Sequence, residues 1–298
     1  MNNRANANTN SNGGKTQKQI LPAAIPYKKS ALSMALTVLT WAAAVVAVAI
    51  LVFLVGFVLV KGVGNITPDL FSLKYNTENA SVIPAIINTL EMTAIALAIS
   101  VPIGICAAIF LVEYTNNKGR IVGLIRITAE TLSGIPSIVY GLFGMLFFTI
   151  ALKLSYSILS GALTLAIMVL PLIMRTSEEA LKSVPVSYRE ASFGLGAGKL
   201  RTIFKIVLPA AMPGILSGII LATGRIVGET AALLYTAGSV AKYATPLESG
   251  RTLAIHMYVL SSEGLYMDKA FATAVILLAM VLLINAVSSF FAKKIMKG

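Results

Sequence analysis

Charge, cysteine and histidine are all scarce in this chain. Of 298 residues only 12% are charged, and there is one cysteine and one histidine. A single Cys106 excludes a disulfide within the chain, and one Cys with one His excludes a Cys/His metal cluster. Cys106 lies in an apolar run and reads as an inert small side chain, buried or facing lipid. With 57% hydrophobic residues, so little charge excludes an ordinary soluble fold. No nucleophile–base set, no His-Glu-x-x-His and no carboxylate pair in a polar context occurs, so the chain has no enzyme site of its own. Gly194-Leu195-Gly196-Ala197-Gly198-Lys199 imitates a phosphate-binding loop but fails it. The first glycine position is Phe193, the position after the lysine is Leu200, and no βαβ strand precedes it.

What the chain has is long apolar runs. A helix needs about 20 apolar residues to cross the hydrocarbon core, and only helices or closed barrels satisfy the backbone there. Continuous runs without two-residue alternation predict helices. Six spans are expected: Met34–Val60, Ile87–Leu111, Ile135–Ala151, Ile158–Met174, Met212–Leu234 and Ala270–Phe291. Only Lys153–Ser157 separates the third from the fourth, which requires a tight helical hairpin. Pro102, Pro171 and Pro213 fall inside spans and predict kinks or breaks. Residues 1–30, rich in Asn, Gly, Gln, Lys and Pro, read as a disordered cytoplasmic tail. They do not read as a cleaved signal, because the following apolar run is too long. The transmembrane domain is then 31–298.

The formal charge of +12 is a topology signal. Six spans place both termini on one side. That side carries seventeen Lys and Arg: five before Met34, three at Lys118, Arg120 and Arg126, six from Arg175 to Pro209, and Lys293, Lys294 and Lys297. The opposite side carries six, namely Lys61, Lys74, Lys153, Lys242, Arg251 and Lys269. The positive-inside rule makes the first side, with both termini and the loop 175–209, cytoplasmic. No nucleic-acid surface is implied.

The loop 175–209 carries the densest pattern. Thr176-x-x-Glu179 is a capping-box spacing and predicts a helix starting there and stopping before Pro185. Ser187-x-x-Glu190 predicts a second short helix, through about Leu195, ended by Gly196 and Gly198. Lys199–Leu208 reads as an amphipathic segment with Leu200, Ile203, Ile206 and Val207 on its apolar side, and Pro209 leads into the fifth span. A short exposed helix on two longer arms suits a cleft of a partner. Glu190 has two readings, helix cap and partner contact.

Charges within a span are costly and are functional candidates. Arg225 and Glu229, four apart in the fifth span, share one helix face and can pair. They read either as a structural ion pair or as a pathway site, in which the arginine fork takes phosphate or carboxylate. Gly224 and Gly228 predict close helix contact or room for a ligand. Glu91 reads as an interfacial cap or a helix-contact residue, and His256, on a possible amphipathic segment Thr252–Leu260, as a surface residue.

Glu190-Ala191-Ser192, then Gly196, then Ile206-Val207-Leu208-Pro209 resembles the EAA signature of ABC importer permeases, with Ser192 for the second Ala the only departure. Ser133–Gly144, Gly224–Ala231, and Leu253–Tyr258 with Asp268–Ala274 resemble the phosphate branch of that family, its PstA-type subunits in particular. The resemblance runs from about residue 35 to the C-terminus. It implies a type I importer fold in the bacterial cytoplasmic membrane. It also implies a second, PstC-like permease subunit, a homodimeric PstB-like ATPase holding the ATP and Mg, and an extracytoplasmic PstS-like phosphate-binding protein. Carried over residue by residue, it assigns Arg225, Glu229 and Thr230 to the phosphate pathway. It assigns Tyr188, Arg189, Glu190, Ala191 and Gly196 to ATPase coupling. Permeases for molybdate, sulfate or phosphonate, and a stand-alone secondary transporter or channel, are the alternatives.

Overall fold

A computed structural model describes residues 31–115, 119–264 and 266–295. The tail 1–30 with Lys28 and Lys29, and the cations Lys118 and Lys297, lie outside them. Among the described residues all regular elements are helical. The chain divides into two units, Met1–Phe53 and Leu54–Gly298. The described part of the first is helix, the beginning of α1 (Ala31–Gly62), which ends in the second.

In the second unit follow α2 (Ile83–Ile109), α3 (Arg120–Ser133), α4 (Ser137–Gly144), α5 (Ile158–Ser183), α6 (Val186–Gly194), α7 (Lys199–Thr202), α8 (Leu208–Val227), α9 (Ala231–Leu234), α10 (Leu253–Ser262) and α11 (Met267–Ile295). Wider π-turns prolong α2 to Tyr114 and α4 to Ala151, and another, Ile203–Val207, joins α7 to α8. Five helices are long and apolar enough to cross a membrane, and six spans result when α3 and α4, bent by 100°, count as one. Helices thus lie at all six expected positions, but the third reaches spanning length only together with α3, which was expected in a loop. The bend falls at Gly134–Pro136, between the amphipathic α3 and the apolar α4.

Two expectations need correction. Thr176 starts no helix: α5 runs unbroken to Ser183, and the Thr176 hydroxyl donates back to the Leu172 and Ile173 carbonyls. Tertiary contact holds this stretch helical, because α8 lies against it with Gly214 over Ala180 and Gly218 over Thr176. Of the kinks or breaks expected at Pro102, Pro171 and Pro213, a break occurs at none, and all three helices run on through their proline. The fifth span, by contrast, is broken where no proline stands: α8 ends at Val227 and α9 restarts at Ala231. The expected tight hairpin is present at Lys153–Ser157, with Lys153 and Ser155 at positive φ and Ser157 capping α5 through Ser160 N–H.

The core is centred on α5. Its Ile158, Leu165, Met168 and Ile173 meet Met92 of α2, Tyr140 of α4, Ile226 of α8 and Leu233 of α9. Lipid supplies little drive for helix association, so small residues and hydroxyls make the contacts. The two family-like stretches, around Gly141 and around Thr230, are one such contact. A side chain at Gly141 would meet the Ala232 backbone at 2.7 Å, and one at Gly144 would meet Thr164 and Thr236. Backbone cannot yield as a side-chain tip does. Gly141→Val is therefore expected to destabilise the protein by about 1–3 kcal/mol through overpacking. It would lower the melting temperature in detergent, and an unchanged melting temperature would show that α4 and α9 are not in close contact.

The loop 236–252, expected on the extracytoplasmic side, is fastened by a buried amide. Asn88 donates to the Lys242 and Arg251 carbonyls and accepts from Ala244 N–H, while Thr89 accepts from Leu253 N–H. Beside it lies His256, fully buried and not on the surface. Its Nε2 is 3.1 Å from the Ala80 carbonyl oxygen and donates to it. Tyr75 meets its ring edge-on and carries the Arg251 guanidinium 4.6 Å from its own ring centre. Burial first, then the Arg251 charge, lowers the His256 pKa from 6.5 to about 3. The imidazole is neutral when folded, so its contribution is complete above the unfolded pKa of 6.5 and is lost as pH falls towards 3. Going from pH 7.5 to pH 5 should remove about 2 kcal/mol through this group. The drop in melting temperature between those pH values is expected to be smaller in His256→Gln than in the parent protein, and equal drops would contradict it.

Candidate functional site

Two regions carry the candidate residues, at opposite ends of the segment 186–230. At the cytoplasmic end is α6. Pro185 occupies its N-cap position and the helix begins at Val186, so Ser187 is already helical and caps nothing. Proline's fixed φ, here −54°, sets the helix start in place of the serine hydroxyl. Glu190 is exposed and makes no hydrogen bond or ion pair with the described residues. Its capping role falls away, leaving the carboxylate open to a partner.

The end of α6 is a Schellman turn. Ala197 N–H donates to the Ser192 carbonyl and Gly196 N–H to the Phe193 carbonyl, with Gly196 at φ +79°. Tyr188, Phe193 and Leu195 are exposed around it, Leu195 at 89%. Open space surrounds Gly194, Gly196 and Gly198.

Arg189 points the other way. Its Nε and Nη2 donate to Glu113 Oε1 at 3.0 and 2.8 Å, Nη1 to the Val184 carbonyl and Nη2 to the Leu181 carbonyl. It therefore ties α6 to the ends of α2 and α5. Ser192, the departure from the EAA pattern, is buried and its hydroxyl lies 2.8 Å from that of Thr202, fastening α6 to α7. Neither internal tie has a signal in the sequence. Of the predicted apolar side of the next segment, Ile203 and Val207 are buried and Leu200 is exposed.

At the other end is Arg225, in the last turn of α8. Glu229 does not share its face. Gly228 closes α8, and Glu229 instead accepts from Ala232 N–H at 3.1 Å, capping α9. The expected Arg225–Glu229 pairing is absent among the described residues, because the helix ends between the two. Thr230, half-buried, opens α9 through its carbonyl, which accepts from Leu234 N–H. Arg225 makes no hydrogen bond or ion pair with the described residues.

Arg225 lines a cavity of about 1010 Å³ between α5, α8 and α11. Gly224 also lines it, and nothing lies within 4 Å of where its side chain would be. The expected close contact at Gly224 and Gly228 is thus found lower on α8, at Gly214 and Gly218, and Gly224 leaves room. Glu91 is no cap: α2 starts at Ile83, two turns before it. No cluster of metal-ligating side chains occurs among the described residues. Cys106 is exposed on α2, beside Phe110 and Leu200.

A multi-pass helical chain with an arginine that is unpaired among the described residues and lines an open cavity, and with a short, exposed helix on an arm between spans, is built as the membrane subunit of a transporter. Residues 100–297 match the family described as binding-protein-dependent transport system inner membrane component, and the chain belongs to that family of ABC permeases. A Bacillus subtilis (strain 168) relative, "Probable ABC transporter permease protein YqgI", is 35% identical over 76% of this chain and 82% of its own length. The Yersinia pestis "Phosphate transport system permease protein PstA" is 35% identical over 78% of this chain and 81% of its own. Mycobacterium tuberculosis (strain CDC 1551 / Oshkosh) "PstA 1" is 42% identical over 52% of this chain and 50% of its own. Among solved structures, a bacterial ABC transporter involved in alginate import superposes with a TM-score of 0.63 at 16% identity, over 86% of this chain and 95% of that one. The MetNI methionine transporter does so with 0.58 at 20%, over 72% and 95%. The fold is that of type I importer permeases, as the signature implied.

Proposed function

We propose that this chain is one half of the pathway by which an ATP-driven importer moves inorganic phosphate across the bacterial cytoplasmic membrane. The observation that carries it is Arg225: a guanidinium at the membrane end of α8, unneutralised by Glu229 and open to a cavity. A planar fork of donors suits a tetrahedral oxyanion. Relatives named as phosphate transport permeases support phosphate as that anion.

The partners in this reading are a PstC-like second permease, two PstB-like ATPase subunits that hold ATP and Mg, and a PstS-like binding protein. Tyr188, Glu190, Ala191 and the turn at Gly196 would meet the ATPase, with Arg189 holding α6 at its angle. ATP-driven closure of the ATPases would then move α6 and, through Ser192–Thr202 and the continuous α7–α8 helix, the segment that ends at Arg225.

The substrate is tested by competition in the assembled transporter. Unlabelled phosphate should displace labelled phosphate uptake, while sulfate, molybdate and phosphonates at equal concentration should not. Stronger displacement by any of these would reassign the substrate.

A further inference from the structure

The cavity that Arg225 lines is also lined by an amide. Asn285 lies on α11, in a run of Ile, Leu, Val and Ala, and it lines the same cavity with Ser217 and Thr176. Its Oδ1 is buried and has no hydrogen-bond partner. A buried amide oxygen without a donor is costly, and polar groups held within spans mark pathways. No described residue bonds to that oxygen.

The cavity also has a direction. On α8 it runs from Gly214 to Arg225, about 16 Å at 1.5 Å per residue. Arg225 stands at the extracytoplasmic end of α8, and Asn285 in the half of α11 nearer the cytoplasm. Glu179 lines the cytoplasmic mouth, and its repulsion of an anion is offset by Arg175, 3.4 Å away.

We infer that Asn285 is a second ligand of the transported oxyanion, taking it by its amide N–H after Arg225 and before release at the Glu179–Arg175 mouth. An amide suits that place. Turned about its last bond it presents donors, and it carries no charge that would trap the anion. A second arginine there would hold the substrate, whereas a neutral donor lets it leave. The inference rests on Arg225 being in the phosphate pathway, and the tests separate the two.

In the complete transporter with Cys106→Ala, Asn285→Cys should react with anionic methanethiosulfonate ethylsulfonate applied from the cytoplasmic side. Phosphate should slow that reaction severalfold, and Leu282→Cys, exposed on the neighbouring surface of α11, should stay unreactive. Asn285→Asp should lower ATP-driven phosphate uptake at least tenfold at wild-type complex yield, with Asn285→Gln restoring part of it. If the thiol of the Asn285→Cys variant stays unlabelled, or if Asn285→Asp transports normally, Asn285 is not a ligand and lipid or a partner helix covers it. That result alongside a dead Arg225→Ala leaves the pathway reading standing. Normal uptake in Arg225→Ala as well would remove both.

Discussion

Replacing Arg225 with alanine is expected to abolish phosphate uptake while leaving the complex assembled. The two halves of that outcome have separate physical grounds. Arg225 makes no hydrogen bond or ion pair with the described residues, so its removal orphans no buried partner. Taking a charge out of an apolar span also relieves an insertion cost of about 2.5–3.5 kcal/mol. Yield and ATPase binding should therefore match the parent. Uptake should not: charge-assisted hydrogen bonds are worth about 1.5–3 kcal/mol each, so losing a two-pronged contact lowers transport by about two orders of magnitude or more. Arg225→Lys keeps the charge without the fork and should transport at an intermediate rate. Glu229→Gln keeps an oxygen for Ala232 N–H and should retain the fold. Unchanged uptake in Arg225→Ala would remove it from the pathway.

The second large effect is expected at the turn that ends α6. Gly196 sits at φ +79°, where a β-branched residue costs about 1–3 kcal/mol in backbone strain. Gly196→Val must either bear that strain or give up the Schellman turn, and both reorient Leu195 and Glu190. The spans are remote from it. The variant should insert and assemble its membrane core, yet uncouple ATP hydrolysis from transport, with uptake falling at least tenfold. Glu190→Trp should do the same by bulk on the exposed face, without altering the α6 backbone. Ser192→Ala is the graded comparison, removing one buried hydrogen bond of about 1 kcal/mol and weakening coupling less. Normal ratios of phosphate moved to ATP hydrolysed in both Gly196→Val and Glu190→Trp would end the case for α6 as the lever.

Most spans were legible in the sequence because hydrophobic length is a one-dimensional property. The end of α6 was legible too, since a glycine at positive φ is a local requirement. The starts were not. Thr176-x-x-Glu179 and Ser187-x-x-Glu190 are sound local caps that lost to other forces. Contact with Gly214 and Gly218 carried α5 through the first, and Pro185 pre-empted the second. The break in the fifth span was hidden because apolar runs lie on both sides of Gly228-Glu229-Thr230 and no proline marks it. The same break converted a predicted Arg225–Glu229 pair into a cap and a free guanidinium. His256 and Asn285 were illegible for a related reason. Which polar residue lies beneath Ala80 or faces a cavity is decided by chain segments far away in sequence.

The most direct measurement is labelled phosphate uptake into proteoliposomes holding either this chain alone or the chain with its second permease, ATPases and binding protein. The account predicts accumulation against a gradient only in the complete complex and only with ATP and Mg, and none through the chain alone. Phosphate flux through the isolated chain without ATP would contradict it and identify a stand-alone transporter or channel.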